Sequence, residues 1–271
     1  MNRGPTATRI WGVVLVGCVF ALTILGYFYT PYEPHEVRVL ERFQPPSGEH
    51  LLGTDHFGRD IFSRILVGGR ISLLIGIGAV FLGSVLGTTL GLVAGYRGGA
   101  WEEGIMRIST SIQAFPSILL ALLFATIWEP GIQVVLWSVS IGNIPNFLRL
   151  TRNQVLSIKK RPYIEAARAL GARDWRIMLR HIIPNLRDAL LVQFTVSLAG
   201  AILVEASLSY LGVGIQPPTP SWGRMLREAQ NYTSLAPWTL FPGLFIAVTV
   251  IGFNLLGDSW IFRRDDVLKR E

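Results

Sequence analysis

Apolar positions in this chain fall in long unbroken runs, not in the short alternations that build a soluble core. A membrane-crossing helix needs ~20 mostly apolar residues. Six runs approach or exceed that length, at residues 10–28, 71–96, 105–128, 132–148, 189–211 and 238–261. They predict an all-α polytopic membrane protein with six transmembrane helices. The run at 132–148 is the least apolar, because Asn143, Pro145 and Asn146 crowd its end. The first run follows Arg3 and Arg9, as in a signal peptide, but it is long and ends on Tyr27-Phe28-Tyr29 instead of small residues. It therefore reads as a retained helix. Phe115-Pro116 interrupts the third run and predicts a kink there.

The polar positions are as informative. Residues 163 to 184, YIEAARALGARDWRIMLRHIIP, are basic and amphipathic and lie between apolar blocks. Pro162 suits a first helical turn. A short helix from Tyr163 to Leu170 follows, with Gly171 suited to a left-handed C′ position. Asp174 is a candidate N-cap for a second helix. In it, Trp175, Met178, Leu179 and Ile182 recur at helical spacing, Arg173, Arg176 and Arg180 line another face, and Pro184 closes it. Two short helices hinged at a glycine form a compact knob for a partner outside the bilayer. Tyr163, Ile164 and Ala167 supply its apolar contact, the small Ala166 and Ala167 permit close approach, and Glu165 offers a carboxylate. An interfacial helix resting on anionic lipid is the competing reading. It accounts for the arginines but not for the Glu-Ala-Ala and glycine spacing.

Composition sharpens the membrane assignment. Half the residues are apolar, 16% are charged and the mean hydropathy is +0.42, whereas soluble domains carry about a quarter charged residues. A net charge of +7 could by itself suggest a nucleic-acid partner. The placement of the charge argues against one. With the N-terminus set in the cytoplasm, eighteen of the 25 Lys and Arg fall on the cytoplasmic side, ten of them between Arg149 and Arg187. The positive-inside rule then puts both termini and the insert in the cytoplasm and residues of about 29–70 and 212–237 outside. Cys18 is the sole cysteine, so no intramolecular disulfide forms.

The order Glu165-Ala166-Ala167, Gly171, Pro184 resembles the EAA loop of permease subunits in binding-protein-dependent ABC importers. The segments Leu52-Gly53-Thr54-Asp55-His56-Phe57-Gly58-Arg59-Asp60, Glu205-Ala206-Ser207-Leu208-Ser209-Tyr210-Leu211-Gly212 and Pro217-Pro218-Thr219-Pro220-Ser221-Trp222-Gly223 resemble the peptide/nickel branch of that family, nearest its C-type permeases. His181 departs from the pattern, standing in a stretch that is apolar in the wider family. The resemblance implies a type I importer permease at the inner membrane of a prokaryote, working by alternating access. It implies a homologous second permease, two ATP-binding subunits and an extracytoplasmic substrate-binding protein as partners, with lipid around them. Tyr163, Ile164, Glu165, Ala166, Ala167, Arg168 and Gly171 would form the ATPase-docking loop. Di- or oligopeptides are the first cargo it implies, and nickel or a metal chelate the second. A secondary transporter is the reading from another class, and a membrane scaffold a third. The chain has no G-x-x-x-x-G-K-[ST] and no nucleophile–base constellation, so no catalytic residue or cofactor is assigned to it. ATP and Mg are expected in the partner ATPase subunits.

Remaining features are packing or pathway candidates. Gly83, Gly87, Gly91 and Gly95 form a four-residue stripe, with Ala79 in register, against which another helix can approach closely. That helix could belong to this subunit or to the second permease. Glu205 is the one acidic residue deep in an apolar run and is expected to face a cavity or a partner; a structural hydrogen bond is the alternative. Gln113, Asn143 and Gln193 are weaker pathway candidates. His35, His50 and His56 lie outside with Glu33, Glu36, Glu49 and Asp55, but their spacing follows no ligand rule and no metal site is assigned. Residues 58–66 read as an amphipathic helix at the outer interface or against the binding protein, with Ile61, Phe62, Ile65 and Leu66 on one side. Residues 1–70 are assigned as a membrane anchor and external segment. Residues 71–271 form a permease core of five helices, with the docking loop at about 149–188.

Overall fold

The computed structural model describes residues 5–268; Arg3, Lys269 and Arg270, counted above among the cytoplasmic cations, lie outside that range. The described residues form ten helices: α1 (Pro5–Phe28), α2 (Ile61–Arg97), α3 (Gly99–Gln113), α4 (Ser117–Ala125), α5 (Ile132–Ile158), α6 (Pro162–Ala169), α7 (Asp174–Ile177), α8 (Ile183–Leu211), α9 (Trp222–Ala229) and α10 (Phe241–Leu268), with two short 3₁₀ turns. Among them the one β feature is an isolated bridge between Thr54 and Asp60.

Every predicted span falls on helix, but the spans are not alike. Among the described residues, four helical segments are long and apolar enough to cross a membrane: Ala7–Phe28, Ile61–Arg97, Asp174–Leu211 and Pro237–Trp260. The third predicted span is the pair α3 and α4, bent by 83° at the Phe115-Pro116 break. Pro116 removes a donor and clashes with the preceding turn, so the axis turns there. The fourth, α5, carries Asn143, Asn146, Arg149 and Arg152. It is held by packing: Val134, Val135, Phe147 and Val155 are fully buried.

The amphipathic helix expected at residues 58–66 is not separate. Asp60 caps α2 by accepting the amide of Ser63 at 2.7 Å, and the helix runs unbroken through residue 70. Ile61, Ile65 and Leu66 are buried by neighbouring chain instead of resting on an interface.

Helix α2 is the hub, packing on α5, α8 and α1. The glycine stripe is its seam with α5. A Cβ at Gly87 would lie 2.6 Å from the carbonyl oxygen of Ile144 and 2.7 Å from Phe147 Cβ. At Gly83 it would meet Ser140 O at 2.7 Å and at Gly95 Val155 Cβ at 2.8 Å, while Gly91 faces Leu148 and Thr151. Contact within this subunit accounts for all four glycines. Helix α1 lies at the edge, against α10 and α2, with Ile10, Val13, Val14, Ile24 and Leu25 pointing outward.

Candidate functional site

The sequence from Lys159 to Leu186 folds into the knob its pattern predicts, with the left-handed glycine in place. Pro162 occupies the first turn of α6 after an extended Arg161. At the other end, the Gly171 amide donates to Arg168 O at 2.9 Å and the Ala172 amide to Ala167 O at 3.0 Å. These two bonds are a Schellman cap. They require a residue with φ > 0, and Gly171 has φ +79°.

Three expectations for the second helix need correction. Asp174 is not its N-cap. Arg173 holds that position, and the Asp174 carboxylate instead accepts the Tyr96 hydroxyl at 2.6 Å. Pro184 does not close the helix: α7 passes through a π turn at Met178–Ile182 directly into α8. A proline ring crowds the carbonyl four residues back, and a widened turn just before it makes room. That turn shifts the register, so the predicted apolar face splits. Ile177, Ile182 and Leu186 go inward, at no more than 1% exposure, while Trp175 and Leu179 are 54% and 55% exposed. Ile164 is also corrected. It is fully buried in a cluster with Leu92 and Tyr96 of α2 and Val155 and Ile158 of α5, so it supports the knob from within instead of meeting a partner.

The knob thus has an inner and an outer face. Inside, the Ile164–Ile177–Ile182–Leu186 core clamps it to the ends of α2 and α5. Polar ties add to the clamp: Tyr96 to Asp174, the Arg168 guanidinium over the Tyr96 ring at 5.4 Å, and Lys159 Nζ donating to Gly95 O at 2.9 Å. Arg152 Nε donates to Glu102 at 2.8 Å, tying α3 to α5 close by. Outside, Tyr163, Leu170, Trp175 and Leu179 stand in solvent, Leu170 at 88% exposure, among exposed Glu165, Ala166, Arg173, Arg176 and Arg180. Ala167 is half-buried at the edge. Such an apolar patch rimmed by charge marks an interaction surface. Because its base is fixed to two long helices, a push on the knob moves those helices.

The pathway candidates do not converge. Gln113 is exposed at the end of α3, beside the bend. Asn143 is half-buried and donates to Val139 O at 2.9 Å, near the same bend, since neighbouring Gly142 faces Ser117. Gln193 donates to Ser197 Oγ at 3.1 Å. Glu205 stands apart and lines no open path. It is fully buried, accepts the Ser209 hydroxyl at 2.8 Å, and lies beside Ser72 and Ser221. Ser209 Oγ in turn accepts the Ile215 amide at 3.1 Å. The expectation that Glu205 faces the cavity gives way to its alternative, a packing hydrogen bond that pins the 212–221 loop to α8. Its Oε2 and the Ser72 hydroxyl are both buried without a hydrogen-bond partner. A neutral amide can donate where a carboxylate cannot. Glu205→Gln is therefore expected to keep or raise thermal stability, while Glu205→Leu strands the Ser209 hydroxyl and lowers it by ~1–3 kcal/mol. Thermal unfolding of the purified complex measures both.

The segment before α2 carries a network that sequence reading missed. Arg59 donates to Asp55 and to Glu228, both at 2.7 Å, Arg64 reaches Glu228 at 3.1 Å, and Arg224 lies 3.3 Å from Glu228. These pairs join the segment before α2 to α9. Its partners are ~170 residues apart and no local pattern links them. Asp55, His56 and Glu228 bring three donor atoms within 4.8 Å of one another, but both carboxylates already serve arginines. The three histidines of that segment do not meet: His50 pairs with Asp60 at 2.9 Å, His56 stacks on Tyr232, and His35 is exposed. Burial pushes the His56 imidazole below its ordinary pKa, favouring its neutral form.

Residues 87–265 match the family of binding-protein-dependent transport system inner membrane components. The chain belongs to this family. Similarity extends beyond that segment. The chain is 45% identical over 253 residues to a glutathione transport system permease protein of Pectobacterium atrosepticum, covering 93% of this chain and 84% of that one. It is 50% identical over 259 residues to the glutathione transport system permease protein of Escherichia coli O157:H7, covering 95% and 84%. A dipeptide transport system permease protein of Alkalihalophilus pseudofirmus is 43% identical over 251 residues, covering 92% and 83%. A chain in the inward-facing structures of the MetNI methionine ABC transporter shares the fold, with a TM-score of 0.60 at 19% identity, over 72% of this chain and 93% of that one. The protein is thus an inner-membrane permease component of an ABC importer, with a type I importer fold.

Proposed function

We propose that this permease forms one half of the translocation path for di- or oligopeptides in an ATP-driven importer. A homologous permease forms the other half, two ATPases bind the knobs, and a substrate-binding protein delivers cargo from outside. ATP and Mg belong to the ATPases, and this chain serves as the pore-forming subunit without chemistry of its own. Residues 1–70 anchor and cap it, and 71–271 form the core, with α2 continuous across the boundary. Both termini and Lys159–Arg161 face the cytoplasm. The observation that carries the reading is the knob, whose apolar Tyr163, Leu170, Trp175 and Leu179 are exposed while its base is locked to α2 and α5. The peptide assignment is supported by relatives named for dipeptide and glutathione transport along almost the whole chain.

In operation, ATP-driven closure of the ATPases would carry the two knobs together, and α2 and α5 would follow through the Ile164–Ile177 core and the Tyr96–Asp174 bond. Cargo-loaded binding protein would bias the same equilibrium from outside. The test reconstitutes the complex with its binding protein and measures ATP hydrolysis. Stimulation by di- and tripeptides, and none by nickel, is the expected result. Stimulation by nickel alone would overturn the peptide reading, and a permease that copurifies with no ATPase would overturn the importer mechanism. Impermeant labelling of a cysteine at position 160 in intact cells would reverse the topology.

A further inference from the structure

Near the end of α1 stands an arginine that is paired with no carboxylate among the described residues. Arg70 lies on α2 three turns from its start and reaches toward the end of α1, where its guanidinium sits 4.2 Å from the centroid of the Tyr27 ring. Among the described residues it forms no ion pair, and its Nε is buried without a hydrogen-bond partner. An ionised group this near the apolar layer is costly unless something opposite in charge approaches it. Beside it opens a cleft of about 290 Å³ lined by Tyr27, Tyr29, Glu33, His35 and Arg70.

The cleft has fixed walls. The Tyr32 amide donates to Ser63 Oγ at 3.1 Å, the Tyr32 hydroxyl to Glu49 O at 3.0 Å, and Arg64 to Pro34 O at 3.3 Å. Below it, Gly26 packs so closely that a Cβ there would lie 2.9 Å from Leu66. Around it, Tyr27, Phe28 and Tyr29 are 59%, 85% and 59% exposed, the aromatic belt of a membrane–water boundary. The adjoining outer face of α1 is apolar and uncovered, which is the side where acyl chains lie. The walls carry charges of both signs, the Arg70 guanidinium and the exposed Glu33 carboxylate.

We infer that this cleft is a binding site for the headgroup of a zwitterionic aminophospholipid, its phosphate on Arg70 and its ammonium on Glu33. The bidentate donors of an arginine match a phosphate, and the tyrosine rings complete the pocket for the ammonium. A free phosphomonoester offers the same phosphate chemistry but no chains for the apolar face of α1. The site goes beyond the transport reading and does not depend on cargo. It relies on the topology only in assigning the lipid to the outer leaflet.

The complex, purified with its partner subunits and stripped of lipid in detergent, would be given phosphatidylethanolamine or phosphatidylglycerol, and retained lipid measured by native mass spectrometry. Wild type should retain phosphatidylethanolamine in preference to phosphatidylglycerol. Arg70→Gln should weaken retention about tenfold, as expected for loss of one charge-assisted contact, and Arg70→Lys should restore most of it. Glu33→Gln should erase the preference between the two lipids. Equal retention of both lipids by wild type overturns the zwitterion assignment, whatever the variants do. Undiminished retention in an assembled Arg70→Gln complex overturns the site. Displacement by glycerophosphoethanolamine at equal concentration overturns the membrane as its source.

Discussion

Gly87→Val is expected to abolish accumulation of folded permease, whereas Gly200→Val leaves it near wild type. A Cβ at residue 87 would stand 2.6 Å from Ile144 O and 2.7 Å from Phe147 Cβ, one backbone and one side-chain atom of a helix that cannot retreat. Helix α5 cannot move because it touches α2 along the whole stripe from Gly83 to Gly95 and is buried elsewhere by α4 and α8. Overpacking a tight seam costs ~1–3 kcal/mol and sometimes more, a large share of the ~5–15 kcal/mol that separates folded from unfolded protein. Valine adds two methyl groups beyond the clashing Cβ, so the cost belongs at the upper end. At Gly200, also in mid-helix, no atom lies within 4 Å of the added Cβ. That substitution controls for the change in helix propensity. Membrane abundance and the melting temperature of the purified complex measure both variants. A Gly87→Val permease that melts like wild type would mean that the α2–α5 seam is looser than its geometry implies.

That seam shows what a sequence can and cannot disclose. Glycine at every fourth position names a face of α2, because only residues four apart stack on one side. It does not name the helix that covers the face, and α5 is fixed by contacts 57 to 61 residues away in sequence. Gly171 was legible for a local reason: its left-handed turn depends on hydrogen bonds within six residues. The faces of the second knob helix were not, because helical spacing assumes 3.6 residues per turn and the π turn before Pro184 breaks that period. Pro184 carried the signal of a disruption, but not whether the helix would stop or widen. Glu205 reads from the sequence as a group expected to avoid lipid, and it is fully buried. Its enclosure depends on Ser72 and Ser221, brought in from α2 and from the turn before α9, which no local pattern connects to it. The same holds for Glu228, whose partners Arg59 and Arg64 flank the start of α2, far away in sequence.

Leu170→Glu combined with Trp175→Ala is expected to release the ATPase subunits while the permease itself stays folded. Leu170 is 88% and Trp175 54% exposed, so neither side chain contributes much to the subunit's own core. Both belong to the solvent-facing side of the knob, where an apolar group gains most by docking. Burying such a side chain is worth ~1.5–3 kcal/mol, so losing two weakens association by about a hundredfold to ten-thousandfold. The charge brought by glutamate adds a desolvation penalty in the same direction. Ile164→Ala provides the contrast. That side chain is buried against α2 and α5, and its removal should cost ~2–5 kcal/mol of subunit stability through the cavity it leaves. Gly171→Val falls between the two, since a β-branched residue at φ +79° adds ~1–2 kcal/mol of strain with open space around it; it should misaim the knob and impair coupling more than folding. Pull-down of the ATPase, melting temperature and peptide uptake separate these outcomes. The double variant should lose the first and third but keep the second, and Ile164→Ala should lower the second first. If the double variant retains both ATPase and uptake, the exposed face of the knob is not where the motor binds. The coupling would then have to run through the inner face, which Ile164, Ile177 and Ile182 already fill.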